Sequence, residues 1–177
     1  RGFDGFISIN ISVKQLHDPS IGSTLEELLH LTGARAEWFH LELTETSLME
    51  KSVREGPVLA GLREMGLSLS VDDFGTGFAS LSYLKNMPVA TLKIDKSFVQ
   101  LLPTDLKDAA IVDAVISMAR GLGLRVIVEG VETSEQEAYL LTLDSVYIQG
   151  YYRSRPIVLD SFMSRFVDGD GAALSSG

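Results

Sequence analysis

A chain of 177 residues, 45% of them hydrophobic and 22% charged, is long enough for one domain with a buried core and is unlike a disordered protein. Its formal net charge of −9 argues against binding to polymeric nucleic acid, which requires a basic surface. No apolar run approaches the roughly 20 residues of a membrane helix, and the lack of cysteine excludes disulfides and thiolate metal sites.

Six short, apolar-rich runs predict buried parallel strands. In chain order they are Phe6–Ile11, Phe39–Leu43, Leu67–Val71, Thr91–Asp95, Arg125–Glu129 and Ser145–Gln149. Amphipathic stretches between and after them predict helices at Leu25–Leu29, Val58–Met65, Ile111–Leu122, Thr133–Leu143 and Asp160–Phe166. We expect Gly66 to end the second helix. The sequence Thr133-Ser134-Glu135-Gln136 has capping-box spacing and begins the fourth.

Strands that alternate with helices predict repeated βα units and a parallel sheet, which belongs to the α/β class. Both an open doubly wound sheet and a closed barrel fit this alternation. In either architecture the chemistry collects at the carboxyl ends of the strands. The last ten residues, 168–177, are small and polar, and we expect them to form a disordered tail.

Every predicted strand has a polar side chain at or just after its carboxyl end. These residues are Asn10, Glu42 and Glu45, Asp72 and Asp73, Lys93 and Asp95, Glu129 and Glu132, and Gln149. Amide and carboxylate oxygens suit Mg²⁺ or Mn²⁺ better than structural zinc. Several carboxylates around one pocket are typical of a two-metal site for in-line displacement at phosphorus. Lys93 among them would stabilise an attacking water or developing charge.

The pair Asp72-Asp73 is the centre of this pattern. Successive strand residues point to opposite faces, so two neighbouring aspartates within a regular strand do not both face one site. At a strand end, where the chain curls, both can reach one ion or two close ions. The alternative is an ordinary surface turn, because Asp and Gly are common turn residues.

Motifs along the chain resemble those of the EAL-domain family, the cyclic di-GMP phosphodiesterases of bacterial signalling. They are Ser8-Ile9-Asn10-Ile11-Ser12, Leu41-Glu42-Leu43-Thr44-Glu45-Thr46, Asp72-Asp73-Phe74-Gly75-Thr76-Gly77-Phe78-Ala79-Ser80-Leu81, Leu92-Lys93-Ile94-Asp95-Lys96-Ser97-Phe98-Val99, Val128-Glu129-Gly130-Val131-Glu132-Thr133 and Gln149-Gly150-Tyr151-Tyr152. The resemblance implies a (β/α)8 TIM-like barrel, present here as about six βα units in a partial EAL domain over residues 1–167. It also implies hydrolysis of cyclic di-GMP to the linear dinucleotide.

The resemblance also implies a role for each residue at the strand ends. Asn10, Glu42, Asp72 and Asp73 resemble metal ligands, with Asp72 shared between two ions of Mg²⁺ or Mn²⁺. Lys93, Asp95 and Glu129 resemble catalytic residues that act on the attacking water. Glu45, Glu132 and Gln149 resemble loop anchors or residues behind the ligands, and Gln149 and Arg153 are candidates for substrate binding. From the residues alone, Lys93 and Asp95 are also a possible structural ion pair.

One departure from the family leaves alternatives open. The Glu-Ala-Leu motif that names the family, whose glutamate is a metal ligand, occurs nowhere in this chain. A catalytically inactive cyclic di-GMP receptor or a protein-interaction module is therefore the second interpretation. Mg²⁺-assisted enolisation in a barrel is a third, weaker one, because it also uses carboxylates and lysine at strand ends.

The chain opens with Arg1-Gly2-Phe3-Asp4 and lacks an initiator methionine, so we expect a piece of a longer protein. The resemblance implies an intact protein that is a homodimer and carries sensory or diguanylate-cyclase-like domains upstream. It further implies a cytoplasmic location, with the possibility of a membrane-anchored parent.

Overall fold

A computed structural model of the chain describes residues 5–54, 56–77 and 84–167. Its centre is one six-stranded sheet in which each strand pairs in parallel with the next. The strands are β1 (Ile7–Asn10), β2 (Phe39–Thr44), β3 (Ser68–Phe74), β4 (Thr91–Ile94), β5 (Arg125–Glu129) and β6 (Val146–Gln149). All six predicted strands are confirmed, with boundaries that differ from the prediction by at most three residues.

Helices connect the strands. The described ones are α1 (Val13–Leu16), α2 (Ile21–Thr32), α3 (Glu45–Met49), α4 (Lys51–Arg54), α5 (Val58–Glu64), α6 (Leu106–Gly121), α7 (Ser134–Leu141) and α8 (Leu159–Phe162). Short 3₁₀ turns occupy Ala36–Trp38 and Lys96–Phe98, and a π-helical turn at Met163–Val167 extends α8. Within the described ranges, no helix combines the length and the apolar character needed to cross a bilayer.

The order of the strands in space is the order of the strands in the chain. A doubly wound sheet reverses its strand order at a switch point, whereas a barrel does not. The sheet therefore forms a curled half-barrel with helices outside it, as the barrel interpretation predicted. Parallel strands joined by crossover helices expose their carboxyl ends along one rim, and this rim carries the candidate site.

The strand β4 illustrates how the sequence separates core from site. All four of its residues are buried, but Leu92 and Ile94 belong to the hydrophobic core, whereas Lys93 contacts carboxylates of neighbouring strands. Alternation of side chains across a strand explains this division. Each buried aliphatic side chain stabilises the fold by about 1.5–3 kcal/mol.

Two local signals in the sequence are confirmed by the geometry of helix ends. Gly66 has a φ of +92°, and the Leu67 N–H donates to the Leu62 carbonyl at 3.3 Å, which ends α5 in a left-handed cap. At the start of α7, Thr133 and Gln136 form the predicted capping box. By contrast, α1, α3 and α4 have no counterpart among the predicted helices.

Some predictions fall outside the described residues. The expected disordered tail, residues 168–177, is one of them. The others are the opening residues 1–4 and the end of the third motif, residues 78–81.

Candidate metal centre and active site

The carboxyl ends of the six strands bring the predicted polar residues to one rim. Asn10 pairs with Glu42 in the register of β1 and β2, and Thr44 pairs with Asp72 across β2 and β3. On the other side of the sheet, Glu129 pairs with Gln149 across β5 and β6. Each of these pairs lies at the carboxyl end of its strands, so the motifs share one rim of the sheet.

Lys93 is the centre of this rim. Its Nζ atom lies 2.7 Å from Glu129 Oε1, 2.8 Å from Glu42 Oε2 and 3.0 Å from Asp72 Oδ1. The Lys93 side chain is 4% exposed, and its ammonium lies between carboxylates from β2, β3 and β5. The sequence suggested an ion pair between Lys93 and Asp95. This prediction is wrong, because the Lys93 ammonium contacts Glu42, Asp72 and Glu129 instead.

The carboxylates determine the charge of Lys93. Burial by itself would lower the pKa of the ammonium, but its close contacts with the Glu129, Glu42 and Asp72 carboxylates outweigh burial and raise the pKa above its ordinary value. Lys93 is therefore a permanent cation at neutral pH and acts as a donor, not as a base.

Asp72 and Asp73 reach the same point by a backbone irregularity. The strand β3 continues to Phe74, beyond the predicted end at Val71, and its register with β4 shifts between these two residues. Asp73 has a φ of +53°, in the left-handed region that aspartate tolerates better than most residues. This kink removes the alternation of a regular strand and lets both carboxylates face one site.

Three carboxylates converge closely enough to hold a metal ion. One oxygen each from Asp72, Asp73 and Glu129 lies within 4.8 Å of the other two. Asp72 Oδ1 is buried, and although it lies near the Lys93 ammonium, it accepts no hydrogen bond of good geometry from a described donor. A buried oxygen without a donor, in a set of hard oxygen ligands, fits Mg²⁺ or Mn²⁺.

The shifted pKa values of two of these carboxylates reflect the same crowding. Burial raises the pKa of Glu129, and the Asp72 and Glu42 charges add to the rise, while Lys93 opposes it. Burial also raises the pKa of Asp73, with further contributions from Asp72 and Asp95. Lys93 and Lys96 oppose the rise for Asp73, but negative charge remains in excess over the two lysines, which favours a bound cation.

Glu45 supports the turn that follows the aspartate pair. Its carboxylate is almost completely buried and accepts a hydrogen bond from the Gly75 N–H at 2.8 Å. Gly75 has a φ of +100°, and a Cβ atom there would lie 2.6 Å from the Phe98 ring. The turn therefore has little freedom to carry a larger residue.

Asp95 lies just after β4 and begins the 3₁₀ turn Lys96–Phe98. Its carboxylate accepts a hydrogen bond from the Ser97 N–H at 2.9 Å. Burial would raise the pKa of Asp95, but hydrogen bonds from Ser97 and Lys96 outweigh burial and lower the pKa. This aspartate is thus an ionised neighbour of Asp73 that also holds its own turn.

A cavity of about 590 Å³ opens beside Glu129. Glu132 and Gln149 line it, as does Lys96, which the sequence analysis did not single out. Arg155 lies over the Tyr151 ring at 4.8 Å and also lines the cavity. Because these residues come from three separate loops, only the fold brings them together.

Arg153 points elsewhere. Its guanidinium forms an ion pair with Glu137 of α7. Arg155, two residues later, is the arginine that lines the cavity. The loop geometry that separates these two arginines is not visible in their local sequence.

A family model described as the EAL domain matches residues 2–156. The cyclic di-GMP phosphodiesterase NbdA of Pseudomonas aeruginosa is 40% identical over 153 residues, which cover 86% of this chain and 20% of that relative. The chain spans about a fifth of the length of the first curated relatives that it matches.

Solved structures show the same architecture. The PaMucR phosphodiesterase in complex with c-di-GMP superimposes with a TM-score of 0.83 at 35% identity, over 89% of this chain and 64% of that one. The EAL domain of Mycobacterium smegmatis DcpA superimposes with a TM-score of 0.85 at 35% identity, over 93% of this chain and 74% of that one.

Proposed function

This chain belongs to the EAL-domain family, and we propose that it hydrolyses one phosphodiester of cyclic di-GMP to the linear dinucleotide in a reaction that requires Mg²⁺ or Mn²⁺. The observation that carries the proposal is the convergence of Asp72, Asp73 and Glu129 beside the Lys93 ammonium. The similarity to NbdA and to the c-di-GMP complex of PaMucR supports the substrate.

The metal would be held by Asp72, Asp73 and Glu129, with Glu42 and Asn10 as further ligands from β2 and β1. A divalent cation at such a site lowers the pKa of a bound water and neutralises phosphate charge. The excess of carboxylates over lysine in this cluster supports that assignment, because an uncompensated group of buried negative charges is costly.

The chain's own residues supply positioning and charge. The Lys93 ammonium keeps its proton and can donate to an attacking water or to a phosphoryl oxygen. Glu129, whose Oε1 lies 2.7 Å from Lys93 Nζ, would hold that ammonium toward the attacking water. Asp95 adds negative charge beside Asp73 and favours cation binding.

The remaining predicted residues act around this centre. Glu45 anchors the turn after Asp73 through the Gly75 N–H. Glu132 and Gln149 line the cavity beside Glu129, where part of a nucleotide would fit. Arg153 is the weakest of the predicted substrate contacts, because its guanidinium is engaged by Glu137.

The direct test is turnover of cyclic di-GMP by the full-length protein with Mg²⁺, with Mn²⁺ and with EDTA, monitored by chromatography of the linear product. We expect turnover with either metal and none with EDTA. Asp72→Asn should abolish turnover, and the exposed Asp160→Asn should not. No turnover by the full-length protein with either metal would contradict the proposal.

Binding without turnover would instead identify a receptor. Calorimetry with cyclic di-GMP in Ca²⁺ measures binding, and turnover in Mg²⁺ or Mn²⁺ separates the two candidates, because a receptor binds the nucleotide but leaves it intact with these metals as well.

The intact protein, we propose further, is a cytoplasmic homodimer with sensory or diguanylate-cyclase-like domains beside this one. The greater length of its curated relatives supports additional domains, as does the bifunctional diguanylate cyclase/phosphodiesterase MucR among them. Light scattering of the full-length protein during size-exclusion chromatography would measure the oligomeric state.

A further inference from the structure

The side chain of Gln136 joins two loops of the candidate site. It is only 4% exposed. Its Oε1 atom accepts hydrogen bonds from the Glu132 N–H at 2.7 Å and the Thr133 N–H at 3.1 Å. Its Nε2 atom donates to the Val99 carbonyl at 3.0 Å and to the Gln100 carbonyl at 3.2 Å. Both donors and both acceptor positions of the buried amide are thus used.

The two loops joined by Gln136 both carry residues of the site. The turn after β5, residues 130–133, follows Glu129 directly. The segment after β4, residues 95–102, follows Lys93. Glu129 and Lys93 are themselves in contact at 2.7 Å, so a shift of one loop relative to the other would disturb the contact between these two functional groups.

Close packing leaves the turn after β5 little room to shift. Gly130 has a φ of +72°, and a Cβ atom there would collide with Lys96. On the other side, a Cβ atom on Gly150 would collide with the Val131 backbone, and the Tyr152 N–H donates to the Val131 carbonyl at 3.0 Å. The turn is thus confined between the segment after β4 and the end of β6, and Gln136 fastens it to the former.

We propose that Gln136 is a positioning residue for Glu129: it fastens the turn after β5 to the segment after β4 and thereby holds the Glu129 carboxylate at the metal centre. The proposal rests on the proposed function. It goes beyond the capping box, in which Gln136 merely closes the first turn of α7. Partners behind a metal ligand commonly change metal affinity or activity by about 10–100-fold.

The substitution Gln136→Glu separates the two roles. Glutamate is a standard residue at this capping position, so its carboxylate still accepts from the two backbone N–H groups. It has no donor for the Val99 and Gln100 carbonyls, and its charge repels them. We expect a fall of about tenfold in kcat and in Mn²⁺ affinity, with KM for cyclic di-GMP changed by less than about threefold. Amide exchange should increase over residues 96–102.

Thr133→Ala is the matched control. Its hydroxyl accepts the Gln136 N–H at 3.3 Å as the helix cap, and its loss leaves the Gln136 amide in place. We expect a lower melting temperature, with kcat and Mn²⁺ affinity within about twofold of the wild type. If Thr133→Ala lowers kcat and Mn²⁺ affinity as much as Gln136→Glu does, the cap and not the bridge is responsible, and the proposal is wrong.

The measurements are made on the full-length protein by steady-state kinetics, calorimetric titration with Mn²⁺ and hydrogen exchange. Gln136→Glu with wild-type kcat and Mn²⁺ affinity would overturn the proposal. If the wild type binds Mn²⁺ but does not hydrolyse cyclic di-GMP, the proposed function fails, and Mn²⁺ affinity and exchange alone decide the role of Gln136. If Gln136→Glu does not fold, Gln136→Asn, which is too short to reach both loops, carries the same test.

Discussion

Lys93 Nζ lies 2.7 Å from Glu129 Oε1, although the residue opposite Lys93 in the register of β4 and β5 is Ile127. The lysine therefore extends along the barrel axis by one pleat to meet the carboxylate at the strand end. Its stem is buried beneath the rim, and its charge lies among the carboxylates. A residue of strand β4, and not of a loop, thus places the Lys93 ammonium beside the candidate metal centre.

The first prediction concerns the charge of that lysine. Lys93→Met should lower kcat for cyclic di-GMP by about 10²–10³-fold, because a donor aimed at developing charge is lost. Mn²⁺ affinity, measured by calorimetry, should be retained or increased, since the carboxylates lose a competing cation. The exposed Lys107→Met is the control and should match the wild type. A variant of Lys93 with unchanged kcat would contradict the role assigned to its ammonium.

The second prediction concerns the turn after the aspartate pair. Glu45→Ala removes the acceptor of the Gly75 N–H and should weaken Mn²⁺ binding by about tenfold, because Asp73 lies in the same turn. Glu45→Gln keeps an acceptor oxygen and should remain within about threefold of the wild type. Equal losses in the two variants would show that the charge of Glu45, not its hydrogen bond, matters.

The regular part of the fold could be predicted from the sequence because each strand is a short apolar run with a polar residue at its end. In β4, the alternation of Leu92, Lys93 and Ile94 predicts which side chains face the core and which side chain faces the site. The alternation of elements alone could not predict the sequential strand order, since barrels and doubly wound sheets share it. The resemblance to the EAL-domain family predicted the barrel, and the pairing of the strands confirms it.

Three features of the candidate site lay beyond local patterns. The positive φ of Asp73 accompanies the register shift between β3 and β4, and nothing in the sequence specifies that shift. Lys93 contacts residues on three strands, so its partners depend on the curvature of the sheet. Gln136 fits the capping-box pattern, which already explains a glutamine at this position. Nothing in the sequence therefore indicated that its Nε2 also donates to the carbonyls of Val99 and Gln100, 37 and 36 residues earlier in the chain.

The third prediction concerns the charge of Asp73. Asparagine also tolerates a positive φ, so Asp73→Asn should keep the backbone while it removes repulsion from Asp72 and Asp95. Without metal, its melting temperature should equal or exceed that of the wild type. Metal at 100 times its Kd stabilises a fold by about 2.7 kcal/mol, and most of this response to Mn²⁺ should disappear in the variant. A full response to Mn²⁺ would exclude Asp73 as a ligand.

The fourth prediction concerns the contact between α6 and α7. The Tyr139 hydroxyl donates to Asp113 Oδ1 at 2.8 Å, and burial together with the Asp113 carboxylate raises the pKa of Tyr139 to about 12. Because a free tyrosine has a pKa of about 10, the unfolded chain loses its proton first. The contribution of Tyr139 to stability is therefore complete below pH ~10 and declines as the pH rises toward ~12.

Tyr139→Phe tests this dependence. At pH ~8 the variant should lose about 1 kcal/mol of unfolding free energy, the usual net value of one hydrogen bond. At pH ~11 the difference from the wild type should be smaller. Tyr139 ionises in the unfolded wild-type chain at this pH, which lowers the stability of the wild type, whereas phenylalanine in the variant has no proton to lose. Urea unfolding followed by circular dichroism measures both values. The exposed Tyr152→Phe should show no such convergence, and a pH-independent difference for Tyr139→Phe would exclude coupling between its proton and the fold.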